Sequence, residues 1–143
     1  MYLLDTVILS ELRKRDRDPR VVDWVQSVEP ADLFLSAITV GEIELGVEKQ
    51  RKANPAFADE LGRWLDLLLQ AYHDRILPLD TAVARRWGRL AGKLGNKSLD
   101  LAIAATALEH GLTVATRNVS DFAPTGVSTL DPFKTRRRAR RRS

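Results

Sequence analysis

Apolar residues along this chain gather in short runs of four or five, and between those runs they recur at every third or fourth position. The short runs are residues 1–5 ("MYLLD"), 32–36 ("DLFLS"), 75–79 ("RILPL"), 112–116 ("LTVAT") and 127–130 ("VSTL"). They have the length of buried strands and predict five of them. The periodic stretches predict helices. One covers 6–15 behind a Thr6 cap, and another covers 19–28 with Pro19 at a permitted early position. A third covers 39–52, capped by Thr39 or Ser36, and a later one covers 81–94 behind Asp80. Residues 54–73 are the most clearly amphipathic, with Phe57, Leu61, Trp64, Leu65, Leu68, Leu69 and Tyr72 at spacings of three and four. Residues 117–126 ("RNVSDFAPTG") read as turns. Strands alternating with helices over short connections predict an α/β domain of three layers, α/β/α, with a small, mostly parallel sheet flanked by helices.

The segment 98–111, "SLDLAIAATALEHG", breaks the amphipathic rule. Leu99, Leu101, Ala102, Ile103, Ala104, Ala105, Ala107 and Leu108 leave it almost no polar face, which predicts a helix buried all round. Asp100 in its first turn and Thr106 nearly two turns later are the exceptions. In an open parallel sheet, sites form at the carboxyl ends of the strands, where helices begin. Asp5 ends the first strand, Asp121 follows the strand at 112–116, and Asp100 opens a helix that must pack on the sheet. Glu42 joins them by a face argument. Glu44, Glu48, Arg51 and Lys52 make a charged stripe, whereas Glu42 shares its side with Ile38, Leu45 and Gly46 and faces inward.

Each acid also has an ordinary structural explanation. Asp5 serves as a helix cap, Asp100 favours the positive end of its helix, Glu42 is a half-exposed helix residue and Asp121 a turn residue. Together they repel one another, because no basic residue adjoins Asp5, Glu42 or Asp100. Unpaired buried charge costs several kcal/mol per ion, on that order of magnitude. A divalent cation resolves the conflict, and an all-oxygen ligand set selects Mg²⁺ or Mn²⁺.

Composition narrows the chemistry further. With no cysteine and two histidines, His73 and His110, that share no ligand spacing, thiolate, imidazole and zinc chemistry have little to work with. Metal-assisted hydrolysis remains, with one ion, or two about 4 Å apart, activating water against a phosphodiester. A 44% hydrophobic chain of 143 residues suits one domain with a single core. No apolar run approaches a membrane span, and the N-terminus has no basic region of a secretory signal, so a cytoplasmic protein is expected. The net charge of +4 is unevenly spread. Residues 134–143, "KTRRRARRRS", hold seven basic side chains and no acid, so residues 1–133 carry −3. This run is expected to be a solvated, disordered tail of a kind that binds nucleic acid or acidic partners.

Four stretches, in order, give the chain a family likeness. "YLLDTVILSEL", "LSAITVGEIELGV", "SLDLAIAATALEHGLTVATRNVSDF" and "GVSTLDPF" resemble the PIN-domain ribonucleases, specifically the VapC-type toxins of bacterial toxin–antitoxin pairs and their FitB-like branch. The resemblance covers nearly all of residues 1–133 and implies a PIN-like nuclease domain there. It places catalytic, metal-binding acids at Asp5, Glu42, Asp100 and Asp121. Thr6, Thr116 and Asn118 fall where the family has small polar residues that position water, metal or phosphate, and Arg117 where it can contact RNA. The implied activity is that of a Mg²⁺- or Mn²⁺-dependent endoribonuclease acting on single-stranded or looped RNA. A homodimer, or a hetero-oligomer with a small cognate VapB-like antitoxin seated in the active-site groove, is implied as well. The Arg-rich run departs from the family core.

The main alternative is a non-catalytic PIN-like module that docks protein or nucleic acid; the retained acids argue against it. A dehalogenase-type phosphatase needs a second Asp two positions after the first, and here Val7 and Ile8 are both apolar, so Asp5 stands alone. A receiver domain needs paired acids before its phosphorylated Asp, and a DNA-directed nuclease would share the same metal chemistry.

Overall fold

A computed structural model describes residues 1–136. The seven residues beyond, most of the basic run, lie outside the described part. Five strands form one sheet: β1 (Tyr2–Leu4), β2 (Leu33–Ser36), β3 (Ile76–Leu77), β4 (Thr113–Ala115) and β5 (Thr129–Leu130), in the order β3-β2-β1-β4-β5. Every pairing is parallel, with Tyr2 opposite Leu33 on one side and Thr113 on the other, Leu35 opposite Ile76, and Val114 opposite Thr129. Parallel strands need crossovers, and the helices supply them. They are α1 (Thr6–Arg13), α2 (Pro19–Ser27), α3 (Ala37–Ala53), α4 (Pro55–Ala71), α5 (Thr81–Leu94), α6 (Leu99–His110) and α7 (Val119–Phe122).

Side-chain alternation along the strands divides the core in two. Leu4, Leu33, Leu35 and Ala115 point to one face, where they meet Ile8, Leu9, Val21, Trp24, Ile43, Leu65 and Phe133. Leu3 and Val114 point to the other, where they meet Ile103, Ala104, Ala107 and Phe122. Two cores on one sheet make the three-layer sandwich that the alternation of elements predicts. Helix α6 packs against α5 as well as the sheet side, and every residue from Leu101 to Ala107 is buried. Thr106 is accommodated there because its hydroxyl donates to the Ala102 carbonyl one turn back, at 2.8 Å.

Local chemistry sets the helix boundaries. Ser36, Asn54 and Asp80 cap α3, α4 and α5 with side-chain acceptors, and Gly95 and Gly111 end α5 and α6 in the left-handed conformation. Of the two caps offered for α3, Ser36 is the one used, and Thr39 lies inside the helix. Two boundaries differ from expectation. Asp5 rather than Thr6 caps α1. Residues 117–126 are not turns throughout: they contain α7 and a 3-10 turn at Ala123–Thr125, anchored by the fully buried Phe122.

Helix α4 tests the assignment of faces, because Leu65 is 3% exposed and Leu67 is 65% exposed. Leu65→Ala is expected to cost about 2–5 kcal/mol through lost burial and the cavity left behind. Leu67→Ala should stay within roughly 0.5 kcal/mol of the parent unless that face is covered by another chain. Urea unfolding of the three proteins decides the matter, and a lower midpoint for Leu67→Ala than for Leu65→Ala would mean that the helix is turned the other way.

Candidate active site

The strand order reverses direction at β1, which lies between β2 and β4, so the crevice for a ligand opens at the carboxyl ends of β1 and β4. Asp5 follows β1 directly. Its backbone N–H continues the ladder to the Ala115 carbonyl at 3.0 Å, so the residue opposite the next rung of β4 is Thr116. That register fixes the first contact of the site. The Thr116 hydroxyl donates to Asp5 Oδ2 at 2.8 Å and accepts from the Asn118 N–H at 3.0 Å. The other oxygen, Asp5 Oδ1, accepts from the Thr6 N–H at 2.8 Å, which is the capping bond of α1. Asp5 is 5% exposed and both its oxygens are held.

Thr6 ties in a second acid. Its hydroxyl donates to Glu42 Oε1 at 3.1 Å, 36 residues away on α3. Glu42 sits at the margin of its helix rather than squarely inward. The buried line is Thr39, Ile43 and Val47, and Leu45, expected beside Glu42, is 52% exposed. Gly46 meets Leu61 of α4 at 3.8 Å from where a Cβ would stand, so it serves helix packing rather than the acid.

Electrostatics join all four acids. Burial raises the Asp5 carboxyl above the ordinary carboxylate range against the bonds from Thr116 and Thr6, and the charge of Asp121 adds to the rise. Glu42 is raised by burial, against the Thr6 bond, and further by Asp5 and Asp100. Asp100, half-buried in the first turn of α6, is raised by burial and then by Asp5 and Asp121. Asp121 is exposed in the first turn of α7. Among the described residues none of the four forms an ion pair. Nor do any three metal-ligating side chains there already close into a cage, so the acids are coupled without being drawn together.

The donor set fits a hard divalent cation. Asp5 and Glu42 are held by hydroxyl and amide donors, and with Asp100 they are raised by burial and then by neighbouring acids. With no protein cation paired to them among the described residues, they are what such an ion would satisfy. Histidine adds nothing here, since His73 and His110 are both exposed.

Arg117 and Asn118 follow Thr116. Asn118 contributes its backbone N–H to the Thr116 hydroxyl and is itself exposed. The guanidinium of Arg117 lies 4.4 Å over the ring centroid of Phe133 and beside Asp18, which is held low chiefly by its bond to Arg20 and least by Arg117. Phe133 as a platform was not foreseen. The only local signal was the Asp131-Pro132 pair, whose Asp caps the 3-10 turn Pro132–Lys134.

Fold and site together define a parallel α/β protein with electrostatically coupled acids at its switch point. The chain belongs to the PIN domain family, whose match runs over residues 2–124. It is 36% identical over 141 residues to Toxin FitB of Neisseria gonorrhoeae, covering 93% of this chain and 99% of that protein. It is 35% identical over 142 residues to VapC ribonuclease Y4jK of Sinorhizobium fredii, covering 94% and 99%. The crystal structure of FitAcB from Neisseria gonorrhoeae superposes with a TM-score of 0.84 at 37% identity, covering 94% of this chain and all of that one.

A carboxyl raised in the folded state keeps its proton to a higher pH than in the unfolded chain. Metal-free stability therefore falls as pH climbs from the unfolded value, about 3.9, through the folded one, and the full cost is present above it. Asp100→Asn removes that charge at constant volume. In EDTA at pH 7 the variant is expected to melt at a higher temperature than the parent, with the gap closing towards pH 4. Superimposable melts across that range would show that Asp100 carries no such strain.

Proposed function

We propose that the chain is the toxin of a toxin–antitoxin pair and acts as an endoribonuclease, hydrolysing RNA phosphodiester bonds with Mg²⁺ or Mn²⁺, one or two ions per site. Asp5, Glu42, Asp100 and Asp121 are the acids that would hold the metal. The observation that carries this reading is Asp5, a buried carboxylate with both oxygens oriented, at the switch point of the sheet and coupled to the other acids without a protein counter-ion. The names of the relatives, a toxin and a ribonuclease, agree with it.

When bound, the metal supplies Lewis acidity and a water activated at neutral pH. The chain does the positioning. Thr116 fixes the rotamer of Asp5 through Oδ2, and the N–H of Asn118 fixes Thr116 in turn. Thr6 sets the spacing of Asp5 and Glu42 by holding one with its amide and the other with its hydroxyl. Asp100 is carried by a helix anchored by seven consecutive buried residues, Leu101 to Ala107. Asp121, Asn118 and Arg117 lie exposed on the rim, where RNA phosphate and ribose approach. The nuclease unit is residues 1–133, and the fold has no helix among the described residues long and apolar enough to cross a membrane, in keeping with a cytoplasmic site of action. A homodimer, or a complex with a small VapB-like antitoxin, would cover the exposed Leu45, Leu67 and Leu99.

The test is cleavage of total cellular RNA by antitoxin-free protein, with Mg²⁺ or EDTA, beside Asp5→Asn and Thr116→Val. Discrete fragments that require both metal and Asp5 are expected, with Thr116→Val slower by about 10–100-fold, as befits a residue that orients a ligand. RNA left intact by folded, metal-bound protein would overturn the reading in favour of a docking module.

A further inference from the structure

Glu11 is a charged side chain that the reaction above does not use. It is the third buried residue of α1, after Ile8 and Leu9, and is 7% exposed. Its one side-chain bond among the described residues comes from Lys14, whose ammonium donates to Oε1 at a long 3.4 Å and whose side chain is itself 56% exposed. An ion pair of this spacing on a helix surface is weak, and burying its carboxylate costs solvation. Helix stability therefore gives no return for the burial of Glu11.

What Glu11 faces is a cleft between the end of α1 and the start of α2. It holds about 700 Å³ and is lined by Glu11, Lys14, Asp16, Asp18, Pro19 and Arg20. That volume is of the order small ligands occupy. Asp18 and Arg20 are committed to each other, with the guanidinium on both carboxylate oxygens at 3.2 and 2.8 Å, and Asp18 also caps α2 through the Arg20 N–H at 2.9 Å. Glu11 and Lys14 are the loosely bonded pair left in the wall. Two connections place the cleft beside the candidate active site. Along α1, Glu11 is six residues from Asp5, about 9 Å of helix rise. Across the surface, Asp18 is held low chiefly by Arg20 and lastly by the charge of Arg117, and Arg117 directly follows the threonine that orients Asp5. A strand that runs from the acids past Arg117 brings a neighbouring base to the cleft.

The chemistry of the pair selects that base. A carboxylate only accepts hydrogen bonds and an ammonium only donates them. The Watson–Crick edge of guanine offers two adjacent donors, N1–H and N2–H, with the acceptor O6 beside them. Adenine and cytosine each set a ring nitrogen that accepts next to a single amine, and uracil flanks its one N–H with two carbonyls. Each of these would turn an acceptor towards Glu11. In single-stranded RNA the edge is unpaired and open to such reading.

We propose that the cleft between α1 and α2 is a guanine-binding subsite for single-stranded RNA, in which Glu11 accepts from N1–H and N2–H and Lys14 donates to O6. This rests on the ribonuclease reading above. The subsite selects where the strand is cut and takes no part in the chemistry.

The test is cutting of a random-sequence single-stranded RNA by the full chain with Mg²⁺, read as base frequencies around the cut, beside Glu11→Gln and Lys14→Met. Guanine is expected to be enriched at one fixed position near the cut. Glu11→Gln keeps the volume and loses the acceptor-only edge, so the advantage of guanine at that position is expected to fall by about tenfold or more. Lys14→Met removes the O6 donor from an exposed side chain, so it reads the same preference, reduced several-fold, should Glu11→Gln fail to fold. In a single defined substrate, inosine at that position lacks the N2 amine and is expected to raise KM for the parent far more than for Glu11→Gln. Cuts flanked by no preferred base, a preference for another base, or a guanine preference that both variants keep would overturn the subsite and leave the nuclease reading standing. No cutting by any of the chains would overturn the nuclease reading, and the subsite with it.

Discussion

Asp5 has both carboxylate oxygens committed inside the fold, one to the first amide of α1 and one to the hydroxyl of Thr116 across the sheet. The same side chain thus starts a helix and fixes the centre of the acidic site. This double use is possible only in one register. Leu4 pairs with Ala115, so Asp5 and Thr116 are the next residues on neighbouring parallel strands and leave the sheet side by side. A slip of one residue would turn the β1 side chains to the opposite faces, separating Leu3 and Leu4 from their two cores as well as Asp5 from Thr116. The apolar packing that sets the register and the polar contacts that set the site are therefore one constraint.

The rest of the molecule can be understood as what makes that constraint tolerable. Burial and mutual repulsion raise three of the four carboxyls, which is a cost the folded state bears whenever they are ionised. It is borne by packing elsewhere. Helix α6 gives seven consecutive buried residues, and the sheet has an apolar core on each face. The hydroxyls of Thr6, Thr106 and Thr116 each find an acceptor, which keeps polar side chains in buried surroundings inexpensive. Thr39 is the exception among the described residues, a buried hydroxyl without a partner one turn before Glu42.

Much of this was legible in the sequence, for reasons that differ from element to element. The five strands and six longer helices announce themselves by run length, periodicity and capping residues, because the same physics that stabilises them writes those patterns. Asp5 and Asp100 stand out by position, one at a strand end and the other in an otherwise hydrocarbon helix. Helix α7 was missed since four residues are too few to show a period. The cap of α1 was misassigned because Asp5 and Thr6 are adjacent and both can cap, so only the tertiary bond of Thr6 to Glu42 separates their roles. The inward face of α3 was placed one position off, since Leu45 is exposed although apolar. Nothing local predicts that Arg117 stacks on Phe133, a contact made through the closing of β5 onto β4.

That last closure has a consequence set by topology alone. The acids at positions 5, 42, 100 and 121 and the turn Pro132–Lys134 are far apart along the chain, yet a parallel sheet delivers the end of every strand to one edge. Had β5 run antiparallel to β4, the chain would have emerged at the opposite edge, and Phe133 could not lie under Arg117. The order β3-β2-β1-β4-β5 and the single strand direction therefore explain more than the position of the acids. They also set Arg117, stacked on Phe133, directly beside the threonine that orients Asp5, so the packing of the last turn and the geometry of the site share one edge.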